Sequence, residues 1–199
     1  YRQEWHTPVT FRKTKLDTLA GGLTPYGLGG GRQSKTLRLR NAQGKEFVIR
    51  SIDKTLSGAL DPIFYNTFIE DVLKDQASMA HPFSAITISD MAQAAKIYHA
   101  IPQIVYVPKQ PALDSFNTTF GDNLYLFEQR PDENWEEADN FGNSKNIIST
   151  EKLLAELLKN NENSVDQIAF VKARLFDIFL GDWGRHEKAA RTIRPRRVV

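Results

Sequence analysis

The 199-residue chain contains no cysteine, so disulfide bonds and cysteine-based zinc sites are excluded. Its longest apolar runs are far shorter than the roughly 20 residues that a membrane-spanning helix needs. Only four histidines are present, and the two in the middle of the chain, His81 and His99, stand alone. Isolated histidines without cysteine neighbours do not form the pattern of a transition-metal site. The sequence therefore predicts neither a metal centre nor a membrane span.

Charge is unevenly distributed along the chain. Five of the 26 basic residues lie in the last twelve positions, which hold no acid, so residues 1–187 carry 21 basic and 24 acidic residues and a formal charge of −3. Nucleic-acid binding would therefore depend on the tail alone, and we predict no specific nucleic-acid partner. We expect residues 188–199 to be a disordered or non-native basic tail, because they lack apolar periodicity.

The first part of the chain alternates in the manner of β-strands. Residues 1–26 are turn-rich and are interpreted as an irregular lead-in with one strand around Val9–Phe11. Two later segments alternate around a turn at Asn41–Gly44, which predicts an antiparallel hairpin. The further elements expected up to residue 130 are a helix over Phe64–Ala80, a helix over Asp90–His99, and strands at Gln103–Val107 and Asn123–Glu128. Residues 27–130 thus form a β-rich region.

Helices dominate the remaining chain. Residues 131–148 are polar and are expected to form a loop. Ser149, Thr150 and Glu151 then open a helix that continues through Leu153, Leu154, Leu157 and Leu158. A final helix is expected over Ser164–Leu180, with a buried apolar stripe at Val165, Ile168, Ala169, Val171, Leu175, Ile178 and Phe179. Strands that precede helices in this order predict an α+β fold, with residues 131–187 as a connector and helical region.

A glycine-rich segment lies between strands of the β-rich region. Gly29, Gly30 and Gly31 precede a strand rather than a helix, which excludes the phosphate sites of Rossmann and P-loop folds. A glycine loop between strands covers the phosphates of ATP in kinases. These three glycines are therefore candidate nucleotide contacts, and the alternative is a flexible loop without a ligand.

A cation follows the apolar part of the second hairpin strand. Arg50 ends the segment Phe47–Arg50, at the place where the kinase strand carries the lysine that holds phosphates and pairs with a helical acid. Glu70, in the next predicted helix, is the candidate partner, and Lys54 is a second cation nearby. The alternative is a solvated strand edge with a surface ion pair.

The strand segment Leu124–Pro131 is the candidate hinge between two lobes. Backbone groups of such a strand can hydrogen-bond adenine, so Leu126 and Glu128 are candidate nucleotide contacts. The alternative is an ordinary core strand.

A polar turn follows the last predicted helix. Its sequence is Gly-Asp-Trp-Gly-Arg-His from Gly181, and it brings Asp182, Arg185 and His186 together, which makes these three the candidate catalytic residues. We expect this turn to face the hairpin around Arg50 across one crevice.

The order of these parts resembles a protein-kinase-like fold, in the branch of lipid kinases and HipA-type kinases. That catalytic loop reads L-G-x-x-D-R-H-x-x-N, and Leu180, Gly181, Arg185 and His186 match it. The resemblance implies an N-terminal antiparallel sheet with a helix, a hinge strand and two helices of a truncated second lobe. It also implies ATP and Mg²⁺ as ligands.

The chain also resembles an uncharacterised bacterial envelope-associated family. Its segments are a glycine loop G-G-G-x-Q-x-x-S-L-R-L, a strand L-R-S-x-D-K, a segment L-Y-L-F-E-x-R-P-D and a turn G-D-W-D-R-H. Residues 29–39, 49–54, 124–132 and 181–186 are similar to these. This resemblance implies a location in the cell envelope, in the periplasm or at the outer membrane.

Two positions depart from the kinase pattern. Gly184 stands where the catalytic aspartate belongs, and Ala189 stands where an asparagine would bind Mg²⁺. We therefore expect weak nucleotide binding without efficient phosphotransfer.

The alternative is a non-enzymatic envelope domain that binds a partner or links modules, for which Trp5, Tyr26, Trp135 and Phe141 would supply exposed aromatic surface. Self-association through an exposed C-terminal helix is also expected if partners of that helix are missing.

Overall fold

The computed structural model describes residues 3, 6–29, 34–52, 62–79 and 83–181. The described chain contains helices and a mostly antiparallel sheet, so the α+β prediction is confirmed. The described residues divide into two compact units, the first within the ranges 3–88 and 101–130 and the second within the ranges 89–100 and 131–181.

The first unit is built on one five-stranded antiparallel sheet. Its strands are β1 (Leu23–Gly29), β2 (Thr36–Asn41), β3 (Glu46–Ser51), β4 (Gln103–Val107) and β5 (Asn123–Gln129). They pair in the order β1-β2-β3-β5-β4, so the chain leaves the sheet after β3 and returns at its far edge. The predicted hairpin is confirmed as β2 and β3, and the strand at Gln103–Val107 is confirmed with its bounds unchanged.

One face of the sheet forms the core of this unit. Alternate residues of a strand point to the same side, and the ladder places one apolar set on that side. Phe47 and Phe127 stack across β3 and β5 with ring centroids 5.4 Å apart. The buried side chains of this face are Leu37, Leu39, Phe47, Ile49, Val105, Val107, Tyr125 and Phe127. Their burial fixes the register, because a slip by one residue would turn them all outward.

The opposite side, here called the polar face, follows from the same alternation. It carries Thr36, Arg38 and Arg40 of β2, Glu46, Val48 and Arg50 of β3, and Leu126 and Glu128 of β5. Along each strand of the hairpin, residues of the core therefore alternate with residues of the polar face. A strand that alternates in this way presents its charges on one side only.

The lead-in is more ordered than the sequence indicates. Residues 9–11 do not form the expected strand; Lys13 instead makes a single parallel bridge with Tyr106 of β4. The Leu16 amide donates to Oε1 of Gln110 at 2.7 Å, and Leu16 is fully buried. Strand β1 also begins inside this segment, at Leu23, because its apolar residue joins the core and extends the sheet beside β2.

Two helices connect β3 to β4. Helix α1 spans Phe68–Met79 and starts four residues later than expected, because a 3₁₀ turn occupies Pro62–Phe64. Helix α2 spans Ser84–Ala94 rather than Asp90–His99, and Lys96 has a positive φ of 54° that is incompatible with a continuing helix. A four-residue helix, α3 (Asn117–Phe120), precedes β5.

The polar connector contains structure that the sequence did not predict. Strands β6 (Glu133–Trp135) and β7 (Ser144–Ile147) pair antiparallel within the second unit. Trp135 and Phe141 pack edge to face at 5.4 Å and are buried, at 4% and 2% exposure. The expectation that these two aromatics offer exposed surface is therefore wrong, because they form the small core of this unit. Tyr26 is 40% exposed, and Trp5 lies outside the described residues.

Helices α4 (Thr150–Lys159) and α5 (Gln167–Leu180) end the described chain. The predicted start of α4 is confirmed, and Ser149 is its N-cap, since the Ser149 hydroxyl accepts from the Lys152 amide. The predicted burial of the α5 stripe is wrong: Ile168 and Ile178 are 83% and 73% exposed. Asp177 is the buried side chain of this helix, held by Arg174 at 2.9 Å. The apolar pattern predicts the helix correctly, but the described residues do not supply a partner surface for its stripe.

Candidate anion-binding face of the sheet

The candidate site residues fall into two groups. Asp182, Arg185 and His186, together with Gly30 and Gly31, lie outside the described residues, as do residues 188–199. Gly29, Arg50, Glu70, Leu126 and Glu128 are described and all belong to the first unit. The expected crevice between the hairpin and the C-terminal turn involves residues that are not described.

Arg50 and Glu128 form the ion pair at the centre of the polar face. Glu128 lies opposite Val48, so it is the diagonal neighbour of Arg50 across β3 and β5. The closest approach is 2.5 Å, from Nε of Arg50 to Oε1 of Glu128. Side-chain exposure is 51% for Arg50 and 17% for Glu128. The carboxylate is therefore the buried member, and it holds a guanidinium that reaches solvent.

This geometry leaves Arg50 able to bind an anion. The contact is made through Nε, and no other described residue forms an ion pair with the side chain. One carboxylate occupies only part of the N–H donors of a guanidinium, so donors remain available for a second acceptor. An arginine oriented in this way is suited to contact phosphate oxygens in a bidentate manner.

Glu70 does not take the role expected for it. Its carboxylate Oε2 accepts from the backbone amide of Asn66 at 2.6 Å, at the start of α1. This arrangement suits a helix N-terminus, where free amides attract a carboxylate. The acid that orients Arg50 is Glu128, from the neighbouring strand rather than from the following helix.

The environment of Glu128 raises its pKa. The largest cause is burial, which disfavours the charged carboxylate, and the positive charge of Arg50 together with its hydrogen bond opposes this shift. Removal of the arginine would therefore leave a buried carboxylate without compensation. Glu128 thus depends on Arg50 for its charged state.

The pairing of β5 with its neighbours limits which of its backbone groups could contact a nucleobase. Leu126 lies opposite Arg50 on one side and Ile104 on the other, so its backbone lies between two paired strands. Strand β4 pairs only with residues 123–127. A hinge-type backbone contact is therefore better placed at Glu128 and Gln129, while Leu126 can contribute an apolar side chain beside Arg50.

A second cluster of charged side chains lies at the end of the polar face next to the turn at Asn41–Gly44. Nη2 of Arg40 donates to Oε1 of Glu46 at 2.6 Å, and Nη1 of Arg130 bonds Oε2 of the same carboxylate. The Arg40 guanidinium also lies over the Tyr26 ring at 4.6 Å. These contacts link β1, β2, β3 and the end of β5. Both carboxylate oxygens are occupied, so this cluster holds the sheet rather than offering a free site.

Thr36 and Arg38 also lie on the polar face, and the sequence interpretation did not select them. The β2–β3 register pairs Thr36 with Arg50 and Arg38 with Val48. Counting outward from a four-residue turn at Asn41–Gly44 would have placed Lys35 opposite Arg50; the observed register differs by one residue because Asn41 pairs with Lys45. Gly29 is the partner of Thr36 on the other side, which brings the end of β1 to the same place.

Comparisons with known proteins give no family for this chain: no family model, no curated protein and no solved structure matches it. Within the described ranges, no group of three or more histidine, aspartate or glutamate side chains is arranged to hold a metal ion. No helix in those ranges is both long and apolar enough to cross a membrane.

Proposed function

We propose that the first unit binds a nucleoside phosphate on its polar face, with Arg50 as the phosphate contact, and that the chain does not transfer phosphoryl groups efficiently. One observation carries the proposal: Glu128 orients a solvent-reaching guanidinium through Nε and leaves other donors open. In kinases, too, a cation on the third strand of the sheet holds the phosphates and is oriented by an acid.

The surroundings of Arg50 support the same ligand class. Leu126 provides an apolar neighbour for a sugar or base, and Gly29 at the end of β1 provides a strand end without a side chain. ATP fits this arrangement better than a resident Mg²⁺ does, because Glu46 and Glu128 both bind arginines. Mg²⁺ would therefore arrive with the nucleotide. Phosphotransfer is not expected, since Gly184 and Ala189 replace the catalytic aspartate and the metal-binding asparagine of the kinase pattern.

Isothermal titration calorimetry with ATP and ADP, each with and without Mg²⁺, tests the proposal. Arg50→Gln should weaken binding about tenfold or more, because hydrogen bonds to charged groups are worth about 1.5–3 kcal/mol. Arg12→Gln is the matched control: it also removes one positive charge from this unit, and Arg12 precedes the bridge to β4, at the opposite edge of the sheet from β1. Equal loss in both variants would show only a charge effect, and no binding at millimolar nucleotide would reject the proposal.

A second candidate function, association with another copy of the chain, is favoured by helix α5. Ile168, Val171, Leu175 and Ile178 follow a three-four-three spacing and are each more than half exposed. This spacing forms the seam through which helices of a coiled coil pack. A self-complementary contact through this seam would make the chain an interaction domain.

A further inference from the structure

We infer that Thr36 and Arg38 complete, with Arg50, a subsite for a phosphate group on the polar face. The inference deepens the proposed nucleotide binding and rests on it for the choice of ligand. It identifies two contacts beyond the Arg50–Glu128 pair, and both come from strand β2.

Thr36 supplies an unpartnered donor. It lies directly opposite Arg50 in the β2–β3 ladder and is 4% exposed. In the described part of the chain, its Oγ1 is the buried side-chain oxygen that has no hydrogen-bond partner. Buried hydroxyl groups nearly always have a partner, and an unsatisfied one indicates either a cost accepted for function or a missing acceptor. A phosphate oxygen would be such an acceptor.

Arg38 supplies an unpaired cation. It is two residues along β2 from Thr36, which makes it the diagonal neighbour of Arg50, at a Cα separation of about 7–8 Å for such pairs. Arg38 forms no ion pair with any described residue, and its side chain is half-buried. For both arginines to contact one phosphate or two linked phosphates, the Arg38 guanidinium must turn from its position beside Gly29 of β1 towards Arg50.

Gly29 makes room for the Arg38 side chain. A Cβ atom at position 29 would lie 2.9 Å from Nε of Arg38 and 3.6 Å from Cγ2 of Thr36. The Arg38 side chain therefore lies against Gly29 of β1, and a side chain at position 29 would displace it.

The chemistry of these groups selects a phosphate ligand. Thr36, Arg38 and Arg50 can all donate hydrogen bonds, and Glu128, the acceptor beside them, is already bound to Arg50. A phosphate or pyrophosphate presents several acceptor oxygens and negative charge to such a group of donors. The Thr36 hydroxyl is buried in this structure, so a phosphate oxygen reaches it only when the atoms that cover it move. The phosphate could belong to a nucleotide or to free pyrophosphate.

The test is calorimetric titration of the whole chain with pyrophosphate and with ADP. Thr36→Val should weaken binding of both ligands about tenfold, the effect of losing one hydrogen bond to a charged group. The same variant should melt at a higher temperature than the parent chain, because valine removes the unsatisfied hydroxyl. Thr36→Ser should retain affinity, and Arg38→Gln should lose it to a similar extent as Thr36→Val. Arg12→Gln remains the charge control.

The outcomes separate the subsite from the proposed function. If ADP binds and depends on Arg50 but not on Thr36 or Arg38, the subsite is wrong and nucleotide binding stands. If pyrophosphate binds in a Thr36-dependent manner and ADP binds no more tightly, the subsite stands and a nucleotide function is rejected. Absence of binding by either ligand overturns both. Because Arg38→Gln changes a half-buried side chain, it remains informative even if a variant at Thr36 fails to fold.

Discussion

The carboxylate of Glu128 lies 2.5 Å from Nε of Arg50, across the junction of β5 and β3. The Glu128 side chain is mostly buried and the Arg50 side chain is half exposed. The pair therefore presents a positively charged guanidinium to solvent in a fixed orientation. A single surface ion pair contributes little to stability. Its value here is orientation, because a guanidinium held by Nε directs its remaining donors outward.

Replacement of Glu128 shows whether this residue acts by orienting Arg50 or only through its negative charge. Glu128→Gln removes a negative charge beside the proposed anion site, so charge alone predicts tighter phosphate binding. Orientation predicts the opposite, a several-fold loss of ADP affinity, because the amide holds the guanidinium less firmly. Calorimetric titration measures the change, and tighter binding by Glu128→Gln would contradict an orienting role.

The control for this replacement is Asp122→Asn, which removes a carboxylate from the loop before β5. It should leave the ADP affinity within about twofold, because salt screens exposed charges that are far from the ligand. A loss as large as that of Glu128→Gln would show that the effect does not depend on contact with Arg50.

Stability should fall as pH rises through the titration of Glu128. Burial raises the pKa of Glu128 in the folded chain, so the folded state binds this proton more strongly than the unfolded state does. The free energy of unfolding then decreases with pH, from the ordinary pKa of a glutamate up to the raised value. Urea denaturation across this window should show a shallower decrease for Glu128→Gln than for the parent chain. An identical pH dependence in the two proteins would mean that the carboxylate is not desolvated.

Gly142 should be intolerant of any side chain. It has a φ of 63°, and a Cβ atom there would lie 2.5 Å from Cζ of Tyr98. Gly181 has nearly the same conformation, with a φ of 66°, and no described residue would lie within 4 Å of a Cβ atom there. Gly181→Ala should therefore cost about 1–2 kcal/mol of left-handed strain, and Gly142→Ala should cost more because it adds a clash. Urea denaturation measures both, and Tyr98→Ala should recover the difference. Equal costs would show that Tyr98 moves freely aside.

The exposed seam of α5 should promote association between copies. Leu175 is 61% exposed within that seam. Sedimentation velocity over a range of concentrations should show a dimer or larger species that Leu175→Gln weakens. Lys172→Gln, on the same helix but outside the seam, is the control and should leave association unchanged. A monomer at every concentration would reject the second candidate function.

The central hairpin of the sheet could be predicted from the sequence because the patterns that indicate it are local. The turn at Asn41–Gly44 and the alternation on both sides of it predict the β2–β3 hairpin without information from distant residues. The strands β1, β6 and β7 were missed for a different reason. They are short or glycine-containing, and they become strands through pairing with partners that the local pattern does not reveal.

The candidate site could be predicted only in part, because its partners are distant in sequence. Arg50 could be selected from its strand, but its partner comes from β5, 78 positions later, and pairs through the order of strands in the sheet. The following helix supplied a reasonable acid, Glu70, which instead accepts from its own helix start. The α5 stripe shows the converse limit: periodicity identifies an apolar face, but not whether another element covers it.

Backbone amide chemical shifts provide the most direct measurement. Nucleotide binding at the polar face predicts that addition of Mg-ADP to the ¹⁵N-labelled chain shifts the resonances of Thr36, Arg38, Arg50 and Glu128 in a saturable manner. Resonances of β6, β7 and α5 should stay unchanged. The absence of shifts at millimolar nucleotide, or saturable shifts confined to residues 131–181, would contradict the assignment of the site to this face.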